Sequence, residues 1–120
     1  MSKALIIEDN RQMAQNLGRM LSFLGVDSDV AYSARSGIMN LGDPPDIVFL
    51  AVNMPLVDGF EVLKFIRRQP LLDNVPVIIV TSDDQPETAQ KARDTGALAL
   101  ILKPPTIETL EKLLGELGLI

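Results

Sequence analysis

The chain has 120 residues, of which 47% are apolar and 22% charged, and its net charge is -5. This length suits one domain spanning residues 1–120 with a core of ordinary size. The negative charge argues against binding nucleic acid or an anionic membrane through bulk charge. With no cysteine and no histidine, disulfides, thiolate metal sites and histidine-based triads are excluded. No run is long enough for a signal-peptide core or a membrane span, so we expect a cytoplasmic protein.

Short apolar runs alternate with helix-like segments along the whole chain. A strand over 4–7 precedes a helix that Gly25 closes, and a weaker, edge-like strand over 26–32 precedes a short helix over 33–41. An unbroken apolar strand over 46–50 precedes a helix that ends at Pro70. A strand over 76–80 precedes a polar helix that begins at Pro86, and a strand over 97–102 precedes an amphipathic helix capped by Thr106.

Five strand–helix units at this spacing predict an α/β fold. Short apolar strands joined by right-handed crossovers form a doubly wound parallel sheet with helices on both faces. In such a sheet, chemistry collects outside the carboxyl ends of the strands.

Polar residues follow four of the five predicted strands. They are Glu8 and Asp9, Asn53, Thr81 and Ser82, and Lys103. Two neighbouring carboxylates favour a hard cation with oxygen ligands, most simply Mg²⁺. A hydroxyl and an ammonium facing that cation would suit a phosphoryl group.

Ala51 is the exception at this predicted site. It follows the central strand, where a side chain would point into the site, yet a methyl group has no chemistry to offer. A small residue filling a tight strand end is the alternative interpretation, and the polar residues around it make that interpretation the weaker one.

The order and spacing of these motifs resemble those of a response-regulator receiver domain (CheY-like) of two-component phosphorelay signalling. The motifs are Glu8-Asp9, Asn53-Met54-Pro55, Asp58-Gly59, Thr81-Ser82 and Lys103-Pro104. The resemblance covers the whole chain and implies a flavodoxin-like five-stranded sheet of order 2-1-3-4-5.

The resemblance also implies roles for the residues at the strand ends. Asp9 and Glu8 would hold Mg²⁺ with the backbone carbonyl of Asn53, and Thr81 and Lys103 would contact a phosphoryl group. The Lys103–Pro104 bond would be cis. Because one acidic ligand is missing, we expect Mg²⁺ binding to be weak or absent. Without phosphate, we expect Lys103 to turn toward Asp9.

Three positions depart from the family pattern. Ala51 stands where family members carry the phospho-accepting aspartate, Leu100 where a switching tyrosine or phenylalanine is common, and Pro105 where phenylalanine is common. Natural divergence and an engineered Asp-to-Ala change both account for Ala51. The otherwise intact pocket favours engineering, whereas Leu100 and Pro105 favour natural loss, which is the interpretation we adopt.

Our first functional hypothesis is therefore a non-enzymatic pseudo-receiver that acts through protein–protein contacts. The alternative is an ordinary phospho-accepting receiver carrying the engineered change. A Mg²⁺-dependent phosphatase is a remote alternative, since it too would want a nucleophile at position 51. A flavin or nucleotide carrier is equally remote, because glycine-rich phosphate loops are absent and aromatic residues are few.

The resemblance implies partners as well. A histidine kinase or phosphotransfer protein would meet the first helix, including Arg11, Gln15 and Arg19. An output domain, or a second copy in a homodimer, would use the face formed by the fourth helix, fifth strand and fifth helix. Residues 117–120 either extend that face or fold onto the last helix.

Overall fold

Strands and helices alternate through the part of the chain that the structure describes, Ser2 to Ile120 of a computed structural model. The strands are β1 (Lys3–Ile7), β2 (Asp27–Ala31), β3 (Ile47–Ala51), β4 (Val77–Thr81) and β5 (Ala99–Leu102). The α-helices are α1 (Arg11–Phe23), α2 (Ala34–Met39), α3 (Gly59–Arg68), α4 (Pro86–Thr95) and α5 (Ile107–Glu116). Single 3₁₀ turns, Asn40–Gly42 and Pro70–Leu72, follow α2 and α3.

The five strands form one parallel sheet in the order β2-β1-β3-β4-β5, which confirms the predicted topology. β3 lies at the centre and is buried along its whole length, as its unbroken apolar sequence predicts. β2 is an edge strand whose exposed residues alternate with less exposed ones. The carboxyl ends of β1, β3 and β4 are therefore neighbours in the middle of the sheet.

Alternation along the strands divides the core into two layers. Ala4 and Ile6 pack on the side of α1 and α5, whereas Leu5 and Ile7 pack on the side of α2, α3 and α4. Because successive side chains of a strand point to opposite faces, each layer receives every second residue. This parity decides which polar residues can meet at the strand ends.

Side chains at the helix starts explain why the helices begin where they do. Asn10, Ser33 and Thr106 each accept a hydrogen bond from a backbone N–H three residues on, which satisfies a donor that the helix leaves unpaired. Pro86 occupies the first turn of α4, where its missing N–H costs nothing. Gly96 ends α4 with a φ of +114°.

The structure corrects one predicted boundary and decides between the two alternatives for residues 117–120. β5 begins at Ala99 rather than at residue 97, because the Ala97 N–H donates to the Ala92 carbonyl and so belongs to the end of α4. At the C-terminus, the Leu119 N–H donates to the Leu114 carbonyl at 2.9 Å. Residues 117–120 thus fold back onto α5, and Leu119 packs against the α1/α5 core layer.

Among residues 2–120, no helix has the length and apolar character needed to cross a bilayer.

Candidate functional site

The carboxyl edge of the sheet is built around Ala51. Ala51 is 1% exposed, and its Cα pairs in register with that of Val80 in β4. On the other side, Leu50 pairs with Ile7, so Glu8 follows directly beyond that pair. Position 51 is therefore enclosed by the ends of three neighbouring strands, and it contributes only a methyl group.

Lys103 and Glu8 form an ion pair beside this position. The Lys103 Nζ lies 2.5 Å from Oε1 of Glu8, and the Glu8 side chain is only 5% exposed. The second carboxylate oxygen, Oε2, accepts a hydrogen bond from the backbone N–H of Asn10 at 3.2 Å. Both oxygens of this buried carboxylate thus have partners, as a buried charge requires.

The expectation that Lys103 would turn toward Asp9 is wrong. The Glu8 N–H donates to the Ala31 carbonyl and the Lys103 N–H to the Thr81 carbonyl, so both residues continue the ladders of their strands. Continued alternation gives Glu8 the parity of Ile6 and gives Lys103 the parity of Ile101, both in the α1/α5 layer. Asp9 has the opposite parity and is only half-buried.

The two hydroxyl residues after β4 lie in different environments. Thr81 is 3% exposed, and its Oγ1 accepts a hydrogen bond from the Asp83 N–H at 3.1 Å. Ser82 is exposed. The Thr81 hydroxyl therefore organises the β4–α4 loop, and it lies at the strand end adjoining Ala51.

Asp83 continues the polar structure of this loop. Its carboxylate accepts hydrogen bonds from the Thr88 hydroxyl at 2.6 Å and from the Gln85 N–H at 2.9 Å. These two bonds, the Thr88 bond first, lower the pKa of Asp83 from its ordinary value of 3.8. The loop beside the site is thus stabilised by a carboxylate in its charged form.

The β3–α3 loop covers the other side of the site. Asn53 is exposed, so its backbone carbonyl belongs to a solvent-facing segment. Asp58 caps α3, and its Oδ1 accepts hydrogen bonds from the N–H groups of Phe60 at 2.8 Å and Glu61 at 3.2 Å. Asp58 is therefore a helix cap here.

Leu100 and the two prolines complete the inventory of predicted site residues. Leu100 is half-buried and packs against the core layer of α2, α3 and α4. The Lys103–Pro104 peptide bond is cis, as the resemblance implied. Pro105 is buried. Leu100 thus lies within β5 and not among the polar groups at the strand ends.

The donor set at this edge does not fit a well-formed magnesium site. Mg²⁺ requires near-octahedral oxygen coordination, usually including one or two carboxylates. Here both oxygens of Glu8 are engaged by Lys103 and Asn10, and Ala51 supplies no oxygen. Asp9 is left as the one carboxylate that could bind a cation. In residues 2–120 no three carboxylate, imidazole or thiolate side chains are grouped as metal ligands would be.

The comparisons with known proteins place this geometry in a family. The profile described as "Response regulator receiver domain" matches residues 4–115. The chain belongs to the response regulator receiver domain family. Receiver domains are in general signalling rather than enzymatic domains, and they bind Mg²⁺ at their phosphorylation site.

Sequence relatives and solved structures agree with that assignment. The chain is similar to the response regulator MprA of Mycolicibacterium vanbaalenii, with 32% identity over 109 residues, or 90% of this receiver domain and 46% of the relative. It therefore spans about half the length of the curated relatives it matches. The chemotaxis response regulator CheY4 of Vibrio cholerae has 29% identity and a TM-score of 0.89, with 98% of both chains covered.

A receiver domain attached to a kinase is also similar. The signal receiver domain of a signal transduction histidine kinase from Syntrophus aciditrophicus has 27% identity and a TM-score of 0.87. The match covers 98% of this chain and 89% of that one. The fold is thus similar to that of receiver domains from different kinds of signalling protein.

Two contacts that matter to the site were not predicted from the sequence. Asn10 caps α1 with its side chain and orients Glu8 with its N–H. Gly59 packs against the backbone of Ala51, and its N–H donates to the Val52 carbonyl at 2.8 Å. A glycine that opens a helix after a buried strand was the available signal for this second contact.

Proposed function

We propose that this receiver domain signals without being phosphorylated at position 51, and that it acts through protein–protein contacts. The observation that carries the proposal is the composition of the strand ends around Ala51. The position is buried and lies between β1 and β4, yet its methyl group can neither attack a phosphodonor nor hold an acyl phosphate.

The retained residues support a receiver origin for this site. Thr81 is buried at the adjoining strand end, and Lys103 reaches into the same edge from β5. In the proposed function these groups maintain one shape of the site and do not respond to a bound phosphoryl group. Mg²⁺ binding is correspondingly weak or absent, since the donor set is incomplete.

Phosphorylation with a small-molecule donor tests the proposal. The protein, its Ala51→Asp variant and its Ala51→Asn variant would each be incubated with acetyl phosphate and Mg²⁺, and intact masses compared. We expect the mass of one phosphoryl group to be added to Ala51→Asp alone. Ala51→Asn is the matched control, because it has similar size and polarity but no nucleophilic carboxylate. An acyl phosphate on the unaltered chain, at Asp9 for example, would overturn the proposal.

A phospho-accepting receiver with an engineered alanine is the alternative, and the retained Thr81 and Lys103 favour it. The two origins make different predictions about the natural gene. An alanine codon at position 51 in genomic DNA supports natural loss, whereas an aspartate codon identifies the alanine as an introduced change. In the second case, the Ala51→Asp protein is the physiological form.

The surface proposed for contact is the face of α4, β5 and α5. Leu98, just before the edge strand β5, is 53% exposed, and Leu102, in the strand, is 47% exposed. Leu100 between them is half-buried. An edge strand with exposed leucines favours pairing with another chain. The partner proposed for this face is an output domain or a second copy, and a histidine kinase or phosphotransfer protein would meet α1.

Measuring the solution mass against protein concentration tests the homodimer. We expect a rise toward twice the monomer mass that Leu102→Lys abolishes. Leu71→Lys is the matched control, because Leu71 is 82% exposed and lies outside the proposed face, in the turn after α3. A monomer at every concentration would restrict the face to other partners.

The remaining proposals concern class and location. We propose that the domain is not an enzyme, since a phosphatase on this scaffold would need a nucleophile where Ala51 stands. We also propose a cytoplasmic location, consistent with the family of signalling domains to which the chain belongs.

A further inference from the structure

We propose that the ammonium group of Lys103 is a built-in substitute for the divalent cation, and that it holds this site in a metal-free state. The inference deepens the proposed function, because it describes how a site without a phosphoacceptor is kept in one form. It concerns cation binding alone and so can fail while the proposed function stands.

The first observation is the occupancy of Glu8. Its Oε1 contacts the Lys103 Nζ at 2.5 Å, and its Oε2 accepts the Asn10 N–H at 3.2 Å. With an ammonium on one oxygen and an N–H on the other, the charge of this carboxylate is already compensated, and a cation at Oε1 meets the repulsion of the Lys103 ammonium. Of the two partners, Lys103 is the charged one, and it competes directly with a metal for the same oxygen.

The second observation is the burial of the pair. The Glu8 side chain is 5% exposed and that of Lys103 is 22% exposed, in contrast to 46–59% for the surface pair of Lys64 and Glu61. Removing one partner of a buried pair leaves an uncompensated charge, which is strongly unfavourable. A Glu8 carboxylate deprived of Lys103 therefore needs another cation.

The third observation is the geometry of the backbone. The Glu8 and Lys103 N–H groups donate to Ala31 and Thr81, so each residue is fixed at the end of a strand ladder. The two side chains meet because the sheet places them on one face, and not because either chain segment is flexible.

The same geometry predicts which change would open the site to a metal. Replacing Lys103 by methionine keeps the length and apolar stem of the side chain but removes the charge. Glu8 then presents an uncompensated carboxylate at the strand end that also carries Asp9, and Mg²⁺ can bind through one or two carboxylates with its remaining positions filled by water. The site would gain a metal while Ala51 remains unchanged.

Mg²⁺ titration followed by two-dimensional NMR of ¹⁵N-labelled protein tests the inference. For the unaltered protein we expect no saturable shift of the amides of Glu8, Asp9 and Asn10 up to about 20 mM Mg²⁺, because the ammonium already occupies the carboxylate. For Lys103→Met we expect saturable shifts at these amides, with Mg²⁺ affinity increased by at least about tenfold, and a melting temperature that rises with Mg²⁺.

Two further variants serve as controls. Lys112→Met removes the same charge from an exposed position on α5 and should bind no more Mg²⁺ than the unaltered protein. Lys103→Arg keeps the positive charge and should remain insensitive to the metal. If Lys103→Met does not fold in buffer, refolding of that variant by Mg²⁺ but not by an equal ionic strength of NaCl is the expected result.

The outcomes that overturn the inference are equally definite. Saturable Mg²⁺ binding at Glu8 and Asp9 in the unaltered protein would show that Lys103 does not exclude the metal. Lys103→Met binding no more tightly than Lys112→Met would show that the ammonium is not the competitor. Neither result depends on phosphorylation, so the proposed function would be left standing.

Discussion

Gly59 lies so close to Ala51 that a Cβ atom at position 59 would overlap the Ala51 carbonyl oxygen. The first residue of α3 is thereby pressed against the last residue of β3. The Gly59 N–H donates to the Val52 carbonyl at 2.8 Å in the same contact. The helix that follows the central strand is thus anchored on the backbone of the candidate site.

We expect Gly59→Ala to reduce the free energy of unfolding by about 2–3 kcal/mol, because either the helix start or the strand end must move. Urea unfolding followed by circular dichroism measures the change. Gly115→Ala is the matched control, since an added Cβ there meets nothing within 4 Å. Because position 115 is an exposed position within α5, that change should stabilise the protein by about 0.5–1 kcal/mol. Equal effects of the two substitutions would contradict the close-contact explanation.

Arg67 ties α3 to two later segments, the turn after α3 and the end of α4. Its Nε donates to the Gly96 carbonyl at 2.9 Å, and its Nη1 donates to the carbonyls of Leu72 at 3.1 Å and Asp73 at 3.3 Å. Burial lowers the pKa of Arg67 from its ordinary value, against the opposing effect of Asp73. We expect Arg67→Met to reduce the free energy of unfolding by about 1–2 kcal/mol, because the Gly96 and Asp73 carbonyls lose the donors that Arg67 supplies. Arg68→Met, at the exposed neighbouring position, should change it by less than about 0.5 kcal/mol.

Leu56 has an unfavourable backbone conformation in the β3–α3 loop. Its φ is +72°, it is fully exposed, and the Val57 N–H donates across it to the Pro55 carbonyl at 2.8 Å. A left-handed leucine costs about 1–2 kcal/mol, and this three-residue turn is the strained form of its class. We expect Leu56→Asn to raise the melting temperature. Leu71→Asn, on a similarly exposed leucine without positive φ, should not. A rise in both would show that replacing an exposed leucine by a polar residue is enough to stabilise the protein.

Asp83 gives the protein a defined pH dependence. Its pKa is lowered in the folded state, so its stabilising contribution is present above the ordinary value of 3.8 and is lost as the pH falls through the lower folded value. We expect Thr88→Val to raise the pKa of Asp83 toward its ordinary value, since the hydrogen bond from the Thr88 hydroxyl is the main cause of the lowered pKa. An NMR titration of the Asp83 carboxyl carbon measures this shift. Thr95→Val, on the same helix, should leave the titration unchanged.

The topology could be predicted from the sequence because the strands and the helix ends have local sequence patterns. The apolar strands, the capping residues Asn10, Ser33 and Thr106, and the glycines that end helices all correspond to the structure. Boundaries moved by one or two residues where a helix end took the backbone groups of the next segment, as Ala97 does at the end of α4.

The partner of Lys103 was harder to predict because two acidic residues are adjacent in the sequence. Charge alone favours Glu8 and Asp9 equally, and only the side-chain parity of a strand continued by one residue selects Glu8. The contact between Gly59 and Ala51 was missed for a different reason. It depends on the path of a loop, which no local periodicity encodes.

The two ends of the described chain are tied together at the edge of the sheet opposite the site. The Ser2 hydroxyl donates to the Leu119 carbonyl at 3.0 Å. A short linker could therefore join the termini, and a new opening in an exposed loop such as the one at residues 73–74 would give a circular permutant with the same sheet. Such a rearranged chain would keep Glu8, Ala51 and Lys103 together. It would show that the site assembles from the sheet, whatever the order in which its segments follow one another along the chain.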